Sequence, residues 1–423
     1  MRLTAGICAM GGLLALPAAA LAAFPGENGK IAFVSGMAGP PGNDSGSDVY
    51  ILDHAGDTTP TPLTSTTGAP GQHRHPTWSP HLDAIAYARW ESPSNEKVFI
   101  DYLDQPGIPQ LRLGFQSSAV RDDRPAWSPA GNKIAYESEV TDGSGQMDIL
   151  VARIDEDGHT VGETNLTNSP TVIEGKPSWS SDGKWIYYSR RGLPPAMDDD
   201  IVRERSDNTS TVPQIIVGSG VAEYQPALAP RGASMCFTRG PFGSASADVY
   251  TIKPVEFITG TQTDLSDSSI GAYNCEYSPE GDKVAFVEGT FTNGALRMKN
   301  SNDTGASTLV TTDTPMHFDG NPAWAPKRPA FCSGEPAVIA GTDSRDELKG
   351  TGGSDVIQAH KGRDKVIARR GNDLACGSAG KDELHGSKGG DELIGGSGND
   401  VLNGGPGRDT CRGGPGKDKK VSC

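Results

Sequence analysis

The chain has 423 residues, long enough for two or three domains, and its 53 Asp and Glu against 38 Lys and Arg give a formal charge of −15. That balance argues against a nucleic-acid partner, and an apolar fraction of 35% excludes a polytopic membrane protein and wholesale disorder. Glycine is unevenly spread, with 20 of 55 between residues 341 and 421, so two compositional regimes share the chain.

Residues 1–22 carry one early Arg2 and then an almost unbroken apolar run to Leu21, with Ala20-Leu21-Ala22 as a small-x-small cleavage site. This pattern predicts a secretory signal peptide, with a retained membrane anchor as the alternative. No later segment is apolar enough to span a bilayer. The expected location is extracellular, with the cell envelope as the alternative.

Six cysteines remain after cleavage, an even number that favours disulfides in an exported protein. Cys411 with Cys423 and Cys332 with Cys376 are the pairs favoured by spacing, which leaves Cys236 with Cys275 or as two buried thiols.

From 24 to 329 a unit of about 49 residues repeats. His75-Pro-Thr-Trp-Ser-Pro80, Arg124-Pro-Ala-Trp-Ser-Pro129, Lys176-Pro-Ser-Trp-Ser180, Gln225-Pro-Ala-Leu-Ala-Pro230, Asn274-Cys-Glu-Tyr-Ser-Pro279 and Asn321-Pro-Ala-Trp-Ala-Pro326 are the six copies of its hallmark. Trp78, Trp127, Trp179, Leu228, Tyr277 and Trp324 hold the fourth position, at intervals of 49, 52, 49, 49 and 47. Turn residues and a short strand such as Lys133-Ile-Ala-Tyr136 follow the first five. Two further apolar runs complete four strands, the content of a propeller blade, and helical periodicity is absent.

The mature chain starts on a second-type strand, Lys30-Ile-Ala-Phe-Val34, and the last Pro-Ala-Trp has no strand after it. Joining the two completes a sixth blade and removes the free sheet edges. A solenoid of stacked hairpins is the alternative. The motifs resemble the TolB-type WD40-like propeller repeat, Pro-x-Trp-Ser-Pro-Asp-Gly-Lys-x-Ile-Ala-Phe. The resemblance covers 24–329 and implies a six-bladed propeller used for protein recognition. The α/β domain that precedes the propeller in TolB itself is not expected here, a departure from that family's pattern.

In that arrangement the Pro-x-Trp strand is innermost, so the residues leading into it approach the channel. Three positions before the Pro stand His73, Asp122, Glu174, Glu223, Ala272 and Asp319; one position before it stand His75, Arg124, Lys176, Gln225, Asn274 and Asn321. Asp122, Glu174, Glu223 and Asp319 are candidate ligands for a cation or a basic segment, and a solvated polar funnel is the alternative. No Gly-x-Ser-x-Gly or His-Glu-x-x-His motif occurs, so no catalytic residue is assigned. His73, His75 and His81 cluster in sequence without a chemistry that requires it.

From Gly341 the chain parses into nine contiguous nonapeptides, from GTDSRDELK to GGPGKDKKV. Position six is Asp in every copy: Asp346, Asp355, Asp364, Asp373, Asp382, Asp391, Asp400, Asp409 and Asp418. Position eight is apolar from Leu348 to Leu402, then Cys411 and Lys420. This resembles the RTX repeat, Gly-Gly-x-Gly-x-Asp-x-apolar-x, which implies a parallel β-roll whose nine aspartates bind Ca2+. Glycines let the turns take positive φ and present carbonyl oxygens, while Asp supplies a hard anionic oxygen. With two repeats per coil, Asp346, Asp364, Asp382, Asp400 and Asp418 form one column and Asp355, Asp373, Asp391 and Asp409 the other. Stacked about 4.8 Å apart they repel one another without metal, and His360-Lys361 and Arg369-Arg370 add cations to two turns.

The sequence therefore predicts an all-β chain: signal peptide 1–22, propeller 24–329, linker 330–340 and calcium-binding roll 341–423. The expected role is a secreted calcium-binding recognition or scaffold protein whose partner is a protein or cell-surface ligand, not an enzyme. The alternative is a secreted lactonase- or hydrolase-like enzyme with its active site in the channel.

Overall fold

The computed structural model describes residues 28–35, 47–53, 59–64, 72–82, 84–92, 95–103, 111–114, 121–139, 145–155, 158–192, 199–209, 212–230, 234–241, 245–252, 262–266, 270–290, 293–301, 307–310, 319–326 and 330–423. The predicted signal segment lies outside them. Among the described residues there is no helix, and no helix long and apolar enough to cross a membrane.

The repeat becomes a blade because its hallmark ends one strand and builds the next turn. In Trp-Ser-Pro-x-Gly the serine hydroxyl accepts the amide that closes the hairpin: Lys133 N to Ser128 Oγ at 3.1 Å, Trp185 N to Ser180 Oγ at 2.9 Å and Lys283 N to Ser278 Oγ at 3.0 Å. Gly131, Gly183 and Gly281 take φ of +74°, +65° and +75° at the same turn point, which a side chain would resist. The strand that follows packs on the preceding one, and two more complete a four-stranded antiparallel sheet.

Six such sheets form the propeller. Blade 1 is Asp319–Pro326, Asn28–Ser35, Asp48–Leu52 and Thr61–Pro62. Blades 2 to 6 follow in chain order, with inner strands His73–Trp78, Asp122–Trp127, Val172–Trp179, Glu223–Leu228 and Ala272–Tyr277. Blade 1 is built from both ends of the repeat region, with Ile31 opposite Trp324 and Ala32 opposite Ala323. Strands more than 280 residues apart thus close the ring, as the frame of the repeats predicts.

The hallmark aromatic residues pack between blades. The indole N–H of Trp78 donates to the carbonyl of Ala323 on blade 1 (3.2 Å), and that of Trp179 to Ala126 on blade 3 (2.9 Å). Leu228, the substitute in the fourth copy, is fully buried among Phe237, Ile216 and Met235. Cys236 on blade 5 is bonded to Cys275 on blade 6.

Residues from 339 onward wind into a solenoid with two parallel sheets, one of five strands from Glu347–Lys349 to Lys419–Val421. Registers run 18 residues apart, Val366 on Leu384 and Ala375 on Leu393, so two nonapeptides make each coil. Leu348, Ile357, Val366, Ala375, Leu384, Leu393 and Leu402 fill the thin core between the sheets.

Residues 330–340, expected as a linker, have a different place. Phe331–Cys332 and Glu335–Pro336 form a hairpin, and Ile339–Ala340 is the first strand of one roll sheet, parallel to Val356–Gln358. Ala330, Ala337 and Ala340 pack with Val356, and Cys332 is bonded to Cys376. The segment caps the open end of the roll's core, which a solenoid requires at its terminus. Cys411–Cys423 ties down the other end.

Candidate functional site

The inner strands carry a bulge that decides what reaches the channel. Pairing with the second strand shifts between Asp123 and Ala126, and likewise between Arg74 and Thr77, Gly175 and Ser178, Tyr224 and Ala227, and Tyr273 and Glu276. The residue before the Pro (or Cys275) lies inside each bulge with positive φ: His75 +50°, Arg124 +49°, Lys176 +59°, Gln225 +57° and Asn274 +55°. An extra residue in a strand breaks the alternation of faces. It turns this ring into the channel and the ring two residues earlier away from it.

Asp122, Glu174 and Glu223 accordingly do not line the channel, a correction to the sequence expectation. All three are buried, and each meets a cation. Asp122 accepts from Lys97 Nζ of blade 2 (2.8 Å) and Ser138 Oγ (2.6 Å), Glu174 lies 3.3 Å from Arg190 Nε, and Glu223 accepts from Arg239 (2.8 Å) and Ser219. His73 meets Asp48 of blade 1 at 2.9 Å. Asp319 begins the last inner strand, but its side chain lies outside the described set. The carboxylates are structural pairs within and between blades. Lys97→Met should therefore cost about 3–5 kcal/mol by stranding buried Asp122, and Lys97→Met with Asp122→Leu should recover much of it, as read by chemical denaturation.

The channel wall is made by the other ring. The cavity, of about 170 Å³, is lined by His75, Arg124, Lys176, Gln225 and Asn274 with the Pro-x-Trp segments. His75 Nδ1 meets Asp123 at 2.6 Å, Arg124 donates to Glu137 Oε1 (2.6 Å), and the Lys176 amide donates to Glu137 Oε2 (3.1 Å). Lys176 Nζ stands 4.1 Å from the centre of the Tyr224 ring, and Gln225 bonds Asn274. Burial lowers His75 to about 4 even against the pull of Asp123, so the imidazole is neutral at physiological pH. Burial and the charge of Arg124 lower Lys176 to about 7.

In the roll, the aspartates form the two columns expected from the coil length. Each Oδ1 accepts the amide of the aspartate 18 residues earlier: Asp346 N to Asp364 (2.9 Å), Asp364 N to Asp382 (2.9 Å), Asp382 N to Asp400 (2.9 Å) and Asp400 N to Asp418 (3.0 Å) in one column. Asp355, Asp373, Asp391 and Asp409 repeat this in the other.

The second oxygen is where the turns differ. Oδ2 of Asp364, Asp373, Asp382, Asp391 and Asp400 is buried with no hydrogen-bond partner. In Asp346 and Asp355 the same atom accepts from the amide and hydroxyl of Thr342 and Thr351, so these first turns are satisfied by protein. Asp409 and Asp418 lie half-buried at the far end. Burial, with the neighbouring carboxylates, pushes Asp364 and Asp373 up to about 7, so charging the columns is costly.

The glycines leave oxygen-lined room beside those atoms. A Cβ on Gly377 would stand 2.6 Å from both Asp382 Oδ2 and the Gly395 carbonyl, and one on Gly395 would meet Asp400 Oδ2 at 2.5 Å and the Gly413 carbonyl at 2.6 Å. Carboxylate and carbonyl oxygens crowded round an unfilled glycine are the donor set of a hard divalent cation, so these residues fit Ca2+. At Ala359 and Ala368 the equivalent position carries a methyl, in the two turns that also hold His360-Lys361 and Arg369-Arg370. Gly398 (φ +147°) is equally constrained, because a Cβ would overlap the Gly380 carbonyl. Gly398→Ala should break the stacking of two coils and abolish the calcium response of the last repeats, measured by calorimetric titration.

The two halves define the class: a six-bladed propeller bearing a calcium-binding nonapeptide roll. The RTX calcium-binding nonapeptide repeat matches residues 340–375, 377–411 and 385–419, and repeats of this kind bind Ca2+. No curated protein matches the chain. Among solved structures, TolB from Acinetobacter baumannii is similar with a TM-score of 0.56 at 18% identity, over 72% of this chain and 68% of that one. Hydrazine synthase from Kuenenia stuttgartiensis gives 0.51 at 13% identity, over 74% of this chain and 48% of that one. A puromycin-hydrolyzing peptidase from Mycobacterium tuberculosis reaches 0.45 at 15% identity, over 73% and 51% respectively. The first two likenesses show the propeller fold and nothing of activity; the third is too distant to carry an argument.

Proposed function

We propose that the protein is an exported, non-catalytic recognition protein whose propeller engages a protein or cell-surface ligand and whose tail folds on external Ca2+. The buried, unpartnered Oδ2 ladder carries the reading, since such atoms are expensive without a cation. Asp382, Asp391 and Asp400 would be the principal ligands, with Asp409 and Asp418 at the outer end. Asp364 and Asp373 would bind more weakly, and Asp346 and Asp355 would serve mainly as the satisfied first rungs. Bound Ca2+ would supply positive charge that cancels carboxylate repulsion along each column. Extracellular sites of this kind work at on the order of 10⁻⁴–10⁻³ M Ca2+, which makes the compartment outside the cell the place of folding.

The propeller supports recognition through its surface. Val221 and Ile270, 47% and 52% exposed, hold equivalent positions two residues before the inner strands of blades 5 and 6. Exposed apolar residues grouped at one rim are a feature of binding faces. The test is capture from cell-surface extracts by the immobilised mature protein, with Ca2+ and with chelator, against Val221→Asp with Ile270→Asp. Specific capture lost in the double variant supports the reading. Turnover of a hydrolase substrate by the wild type, lost on changing a channel residue, would replace it with the enzyme alternative.

A further inference from the structure

Five of the six inner strands put a small residue on the channel wall two positions after the bulge residue: Thr77, Ala126, Ser178, Ala227 and Ala323. The sixth puts Glu276 there. Along Ala272–Tyr277 only Asn274 and Glu276 are half-buried between buried neighbours, so both face the channel. Among the described residues none hydrogen-bonds or ion-pairs with Glu276, and burial alone pushes its carboxyl up to about 8. Asp122, Asp123, Glu174 and Glu223, the other described carboxylates of the inner strands, meet Lys97, Arg121, Arg190 and Arg239 respectively. Glu276 breaks the pattern of its own repeat.

Among the described residues no charged group acts on it from the strands around it. Ala285 stands opposite on the second strand of blade 6, and Ala227 and Ala323 hold the same position on the flanking blades. The charged residues of the packed strands are engaged elsewhere. Lys283 pairs with Asp282, Glu288 with Arg297 and Glu223 with Arg239, while Asp248 accepts from Ser266. On the far wall Arg124 is held by Glu137 and lies 3.9 Å from Asp123, and the charges of Asp199 and Glu137 act on Lys176, so those cations are compensated locally. The complement that Glu276 lacks is a cation.

Its surroundings decide which kind. Among the described residues no three His, Cys, Asp or Glu side chains gather to hold a metal ion. The nearby amide oxygens are already engaged: Asn274 accepts from the Gln225 side chain, and Gln225 Oε1 accepts from Thr238 Oγ1 (3.2 Å) and the Asn274 amide (3.3 Å). A hard metal ion, which takes six or more oxygens, would find one free carboxyl. Ala227, Ala323, Pro226 and Pro322 on the flanking blades give the cavity an apolar wall instead, which suits a hydrocarbon body.

We propose that the channel binds a small organic monocation, an alkylammonium or alkylguanidinium, with its charged head on Glu276 and its apolar body along the alanine and proline wall. A cavity of about 170 Å³ admits a ligand of this size. Glu276 is protonated at neutral pH, so a cation that pairs with it displaces its proton. Affinity therefore rises as pH rises through 8, while a primary ammonium keeps its charge to about pH 10. The site is distinct from the recognition face at the propeller rim and stands whether or not that face binds a macromolecule.

The experiment is calorimetric titration of the full mature protein in Ca2+ with methylammonium, butylammonium and butylguanidinium. Butanol serves as the control with a body and no charge, and potassium ion as the control with a charge and no body. At least one organic cation should bind tenfold or more tightly than either control. At neutral pH its binding should release a proton, read as a difference in heat between buffers of unlike ionisation heat. Glu276→Gln should weaken binding tenfold or more and abolish the proton release. Glu276→Ala restores the small residue of the other blades, so it should stay folded, melt no lower than the wild type and lose binding. No measurable binding, binding no tighter than that of butanol or potassium, or binding that survives Glu276→Gln overturns the proposal.

Discussion

Stripping Ca2+ from the protein should unfold residues 341–423 and leave the propeller intact. The five buried Oδ2 atoms without partners and the stacked carboxylates make the metal-free roll unfavourable, while buried Asp122 and Glu223 of the propeller are already paired with Lys97 and Arg239. Binding at a hundredfold excess over Kd contributes about 2.7 kcal/mol per site, so three good turns supply roughly 8 kcal/mol, comparable with the whole stability of a small domain. Circular dichroism should show β structure gained on adding Ca2+ to the chelated protein. Mg2+ should not substitute, because it demands a smaller octahedral shell and sheds water reluctantly. Changing Asp382, Asp391, Asp400 and Asp409 together to Ala should abolish the transition. Asp364→Ala or Asp373→Ala should shift it less, because their turns carry Ala359 or Ala368 and flanking cations. A tail that stays folded in excess chelator would make the aspartates structural.

Opening the ring should have the second large effect. Deleting 319–326 removes the inner strand of blade 1, including buried Trp324 and Ala325, and the acceptor for the Trp78 indole. It also exposes a sheet edge along Asn28–Ser35, which invites association between chains. Trp324→Ala alone should cost about 3–5 kcal/mol. In a propeller of this size that lowers the melting temperature on the order of 10 °C, and the deletion should do more, with loss to aggregation. A deletion variant with unchanged thermal unfolding would show that the ends do not close the ring.

The fold was legible because both halves are repeats. Six copies of one hallmark and a frame that starts on a second strand and ends on a first point to blade number and closure, and the resemblance of the nine in-frame nonapeptides to the RTX repeat implies a coil of two repeats. The Asp columns follow from that resemblance, since two nonapeptides per coil put Asp364 on Asp382 and Asp373 on Asp391. Cys332–Cys376 and Cys411–Cys423 are the pairs that spacing favours, whereas the Cys236–Cys275 bond, open in the sequence to two buried thiols, is decided by the contact of blades 5 and 6.

The channel was not legible in the same way. Regular alternation puts Asp122 and Arg124 on one face; the bulge at Arg124 separates them, and only the paired strand shows it. A bulge is a property of register between strands, so a reading of one strand at a time assigned the carboxylates to the wrong surface. Glu276, on the channel wall where the other blades carry Thr77, Ala126, Ser178, Ala227 and Ala323, has meaning only once the channel face is known. Residues 330–340 read as a linker because short segments without periodicity do; packing of Ala330, Ala337 and Ala340 on the roll made them its cap. Sequence by itself thus determined the repeating architecture, which local turn chemistry and periodicity encode many times over. Tertiary structure alone decided which polar side chains meet, because blade contacts, bulges and unpartnered oxygens depend on neighbours far away in the chain.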